Sequence, residues 1–161
     1  MSLIGAGVTI KVSHEVDADL DLSDPTDILG QRYGVNYRCG SSDLQVTAAW
    51  RDIVTISDSA VVMDLQSLTG AFGTQQNFST IKGVYIQNLN SSASDIVILG
   101  GASSAPFESI PSSMAVQPGG CLVVSAPNNG YLTDSANYLH LQRAETTSAV
   151  CSMAIWVVGV V

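Results

Sequence analysis

The closing run AVCSMAIWVVGVV, Ala149 to Val161, decides how this chain is read. Drawn as a strand, it sets Val150, Ala154, Trp156 and Val158 on one face and Cys151, Met153, Ile155 and Val157 on the other. Successive side chains of a strand point to opposite faces, so apolar residues in both phases mean burial on both sides. A membrane span needs about 20 apolar residues. This run has thirteen, interrupted by Ser152 and Gly159. It predicts a strand buried on both faces, one in the sandwich and the other beneath a further element or a partner subunit.

Working back from that strand, period-two alternation recurs to the other end of the chain. Tyr138, Leu139 and Leu141 form one strand, and Cys121-Leu122-Val123-Val124 another. Asn128-Asn129-Gly130 and Pro118-Gly119-Gly120 read as tight turns, the second as type II with glycine taking the positive φ. Ile81 to Ile86 and Ile96 to Leu99 are strong apolar runs joined by the polar stretch Asn88–Ser94. Leu44–Ile56 and Ala60–Leu65 are two more, and Gln66–Gly73 reads as a loop or a single helical turn, the turn over Leu68–Phe72. Nearer the start, Val8, Ile10 and Val12 alternate with polar residues, and Tyr33, Val35 and Tyr37 do the same. Nine or ten strands without an amphipathic helix predict an all-β, antiparallel, jelly-roll-like β-sandwich. Residues 1–45 read as an acidic leader, a hairpin or an extended arm, packed on the sandwich or on a partner. Residues 46–161 read as the sandwich itself.

Composition agrees with this and excludes several functions. Charged residues are 12% of the chain, about half the usual share, so Ser, Thr, Asn, Gln and Gly must finish the surface. The net charge of −8 argues against a nucleic-acid partner, which needs a basic patch, and against an anionic membrane. MSLIGAGVTIK lacks the basic start of a secretory signal. Cys39, Cys121 and Cys151 are widely spaced and read as buried or incidental thiols in a reducing cytoplasm.

No constellation carries chemistry. Asp17, Asp19 and Asp21 resemble the start of a calcium loop, but Leu22 stands where its glycine belongs and Ile28 where its glutamate belongs. They read as a solvated strand face, so no metal or other cofactor is expected. His14 and His140 are the two histidines, and no G-x-S-x-G elbow accompanies them. Gly100-Gly101-Ala102 lacks the lysine of a phosphate loop. Trp50 and Tyr131 are the candidates for a carbohydrate face, although most of the aromatics read as core. A glycosidase would need two carboxylates about 5–10 Å apart in a groove, which strand-face acids can mimic by chance. The expectation is a protein that binds, covers or assembles, not an enzyme.

The order of the turns carries a resemblance. Asp64-Leu65-Gln66-Ser67-Leu68-Thr69-Gly70-Ala71-Phe72-Gly73 is followed by Ile81–Asn88, Ile98-Leu99-Gly100-Gly101-Ala102 and Val116-Gln117-Pro118-Gly119-Gly120. Ala126-Pro127-Asn128-Asn129-Gly130, Leu139-His140-Leu141 and the apolar end at Val158-Gly159 complete it. Over roughly residues 8–160 the chain resembles small virion proteins of tailed bacteriophages, similar to β-sandwich capsid decoration (cement) proteins. The resemblance implies a non-enzymatic homo-oligomer made in the host cytoplasm and mounted on the outer surface of the phage head. Its partner would be the major capsid protein. The alternative is a tail-associated or head-fibre module that binds a carbohydrate receptor.

Two contact surfaces are expected. Six of the fourteen acids lie between Glu15 and Asp27, and Glu15, Asp17, Asp19 and Asp21 are the candidates for meeting basic capsid loops. The second face of the closing strand needs a cover, and the chain has no helix to supply one. An oligomer contact through Met153, Ile155 and Val157 is the simpler cover, with a trimer favoured over a dimer.

Overall fold

The computed structural model describes residues 5–17, 26–57, 60–70, 73–100, 114–133, 137–144 and 150–161; the side chains of 12–17, 26–29 and 31 lie outside that description. The strands before the middle of the chain are β1 (Gly5–Asp17), β2 (Thr26–Cys39), β3 (Gln45–Val46), β4 (Ala48–Ile56), β5 (Ala60–Asp64), β6 (Leu68–Thr69) and β7 (Gln75–Gln76). After them come β8 (Thr80–Asn88), β9 (Val97–Leu99), β10 (Met114–Val116), β11 (Cys121–Ser125), β12 (Tyr131–Leu132), β13 (Tyr138–Arg143) and β14 (Cys151–Val160). No helix occurs among the described residues. The protein is all-β.

Two antiparallel sheets make the sandwich. One runs β11-β8-β14-β4, with β12 also paired to β8; the other runs β10-β9-β13-β5. Their inward phases meet in one core that includes Trp50, Ile56, Ile86, Leu99, Leu141 and Met153. The closing strand β14 lies in the interior of its sheet, between β8 and β4. Cys151, Met153, Ile155 and Val157 all point into the core and are buried there. Met153, Ile155 and Val157 therefore present no surface to a second copy. The oligomer contact expected of them is corrected, because alternation gives the outward positions of β14 to Ser152, Ala154, Trp156 and Val158.

Several local expectations are met and others are revised. Gly119 has φ 72°, and Gly120 N donates to Gln117 O at 2.9 Å, which is the type II turn expected around Pro118. Gly130 has φ 70° and closes its turn by donating to Ala126 O at 2.9 Å. The segment from Leu68 is not a helical turn: β6 and β7 pair antiparallel, with Gly70 N donating to Thr74 O at 2.8 Å. Leu44–Ile56 is not one strand: Leu44 takes φ 56° in the turn before β3, and Thr47 separates β3 from β4.

One irregularity shapes the outer surface. Val158 pairs with Gly83 but Gly159 pairs with Ile81, so Lys82 is an extra residue in β8, a β-bulge. Lys82 is buried, and its Nζ donates to Asn128 O. Its carbonyl accepts from Ala126 N at 2.9 Å and from the Tyr37 hydroxyl at 3.0 Å.

That last bond ties the N-terminal segment to the sandwich. β1 and β2 form a long antiparallel hairpin, in register from Gly5↔Arg38 to Asp17↔Thr26. β2 then makes a short parallel contact with β3. Val35 and Tyr37 of the hairpin, Val46 of β3 and Val158 of β14 form a second buried cluster, with Ala6, Ala49 and Trp156 packed against it. The outer face of β14 is thus covered in part by the chain's own hairpin. The sequence shows that this face must be buried but does not say by what.

Candidate functional site

The outer face of the β11-β8-β14-β4 sheet is built in rows fixed by the strand registers. Ser125, Gly83, Val158 and Ala49 form the first row, Val123, Tyr85, Trp156 and Arg51 the second, and Cys121, Gln87, Ala154 and Ile53 the third. The base of the hairpin sits on the first row. Gly83 makes room for it: a Cβ there would lie 3.3 Å from the Tyr37 hydroxyl and 3.1 Å from Val158 Cγ1. Tyr37 also lies 3.3 Å from Ser125 Oγ.

The second and third rows are open at their ends. Val123, Tyr85 and Trp156 are half-buried and Arg51 is exposed, while Ile53 is 61% exposed and Cys121 is exposed. An aromatic pair, Tyr85 beside Trp156, thus lies on a sheet face with an arginine at its edge. Sequence reading missed this surface because Tyr85, Trp156 and Arg51 are far apart in the chain. Each sits in the outward phase of its own strand, but only the pairing of β8, β14 and β4 brings them together.

The hairpin has an open surface of its own. The face that carries Tyr37 and Val35 continues to the cross-strand pair Ile10↔Tyr33. The Tyr33 hydroxyl still reaches Ser125 Oγ at 3.3 Å, but Tyr33 is 46% and Ile10 36% exposed. Beyond them the strands remain paired as far as Asp17 and Thr26. At about 3.3 Å per residue that is roughly 23 Å of two-stranded ribbon. Glu15 and Asp17 lie in this distal part, opposite Ile28 and Thr26, with their side chains outside the description. Asp19 and Asp21 lie outside the described residues.

In comparisons with known proteins, this chain matches no family model and no curated protein. The reading of the site therefore stands on its geometry.

Other candidate groups serve packing. Trp50 is buried in the core and its Nε1 donates to Thr69 O at 2.8 Å, and Tyr131 packs half-buried against the same core. His140 is half-buried on the outward phase of β13, opposite Val62. Among the described residues, no three of His, Cys, Asp and Glu converge as a metal site would require. Asp95, Arg143 and Cys151 are buried within each other's electrostatic reach. Burial raises the Cys151 pKa, Arg143 lowers it and Asp95 raises it again. The net effect is a neutral thiol, a poor nucleophile.

The docked tyrosine predicts a pH dependence. Burial raises the Tyr37 pKa from 10.0, partly opposed by its bond to Ser125; burial also raises Tyr85 from 10.0 and Cys151 from 9.0. Each group holds its proton more tightly folded than unfolded, so its contribution is complete below the ordinary value and is lost as pH rises through the folded one. The urea midpoint is expected to fall as pH climbs above 9.0. A midpoint that rises in that range would contradict the burial of these groups.

Proposed function

We propose that this chain is a non-enzymatic structural protein of a tailed-phage virion, decorating the outer surface of the head and bound to the major capsid protein. The observation that carries this reading is the hairpin, anchored by Tyr37 and Val35 and then extending beyond its packed base with Ile10 and Tyr33 exposed. An isolated two-stranded hairpin is marginal in water, so a ribbon of this length is best explained by a surface that receives it. Subunits of a particle shell offer such surfaces at high local density, and repeated weak contacts then add up through avidity.

The reading includes a jelly-roll-like sandwich and a homo-oligomer, a trimer in preference to a dimer. The acidic run from Glu15 to Asp27 supplies charge suited to basic capsid loops, which would set orientation and encounter rate. Recognition of a carbohydrate receptor through Trp50 or Tyr131 is disfavoured, because both rings pack on the core.

Quantitative mass spectrometry of purified virions tests the proposal. The chain is expected to remain with tail-free heads at a fixed, high ratio to the major capsid protein. Recovery with the tails at a few copies per particle would contradict it.

A further inference from the structure

We propose that the open rows of the outer sheet face receive the hairpin arm of a second copy of this chain. The inference deepens the homo-oligomer part of the proposed function and does not depend on where that oligomer is mounted. It starts from two partly open apolar surfaces on one molecule, Ile10 and Tyr33 on the arm, and the half-buried Trp156, Tyr85 and Val123 with the exposed Ile53 on the sheet. Ile53 is 61% and Tyr33 46% exposed, so the chain's own arm leaves its own face open.

The occupant follows from the interface already present. In the neighbouring row, the same hairpin face lies on the same sheet face, valine and tyrosine against Val158 and the bulged β8. Past that contact the sheet continues with Trp156 and Tyr85, and the arm with Ile10 and Tyr33. A second arm would therefore extend an existing kind of packing.

Arranged head-to-tail, the arm of each copy lies on the face of the next. Such an interface closes into a ring when the rotation between copies allows, and a three-membered ring is the simplest that fits the proposed function. Each copy would give one arm and receive one.

Sedimentation of the full chain and two variants tests this. Ile10→Asp disables the arm and Ile53→Asp the face; both positions are exposed, and circular dichroism checks that each variant keeps its strands. The wild type is expected to form a closed oligomer at tens of micromolar, and each variant alone to be a monomer. An equimolar mixture should give one-to-one dimers and nothing larger, because one intact arm and one intact face remain per pair. A monomeric wild type, association that survives either substitution, or a mixture that stays monomeric would overturn the inference. None of these outcomes touches the virion reading, which the particle stoichiometry decides.

Discussion

Replacing Gly159 with alanine is expected to be among the most damaging single changes in this protein. The added Cβ would lie 2.1 Å from Thr80 O and 3.1 Å from both Ile81 Cα and Phe78 Cδ1. Two of those neighbours are backbone, so no side-chain rotation can relieve the clash. Strand β8 must move away from β14 beside the bulge, where Phe78 and Ile81 are fully buried. Overpacking of this kind costs on the order of 3 kcal/mol, which for a domain of this size lowers the melting temperature by about 10 °C. Gly30→Ala is the control: nothing lies within 4 Å of its added Cβ, and the melting temperature should hold. Equal behaviour of the two variants would show that the β8–β14 contact is looser than described.

The second large effect is local. Val35→Asp places a carboxylate in the small cluster under the hairpin, where Val35 is buried beside Tyr37, Val46 and Val158. An unpaired buried charge is costly, so the hairpin should lift away and not hold the charge in place. The main core is a separate cluster and keeps all its members. Hydrogen exchange is therefore expected to speed up by about a hundredfold or more in β1 and β2, while β8 and β14 keep the protection of their core-facing ladder. Loss of protection throughout would mean that hairpin and sandwich fold as one cooperative unit.

Much of this fold was legible in the sequence, and the failures share a cause. β8, β13 and β14 stand out because their apolar runs are long enough to register, and β11 because Pro-Gly-Gly precedes it and Asn-Asn-Gly follows it. Strands β6, β7, β10 and β12 have two or three residues each, too few for any period to register. Burial of both faces of β14 was legible as well. The source of the cover was not, since apolarity records the loss of water and not the identity of the neighbour. The same limit hid the Tyr85–Trp156–Arg51 row, which exists only once three strands are paired in register. The bulge at Lys82 is subtler still: a lysine between Ile81 and Gly83 gives no sign that its carbonyl will anchor a tyrosine from the hairpin.

We propose that this chain coats a phage head and reaches its neighbours through the hairpin. A cryo-electron reconstruction of the intact virion tests it most directly. Hundreds of copies of the sandwich are expected over the head shell, each with its β1–β2 ribbon in contact with an adjacent subunit. Density for the chain confined to the tail, or isolated single copies with the ribbon touching nothing, would contradict it.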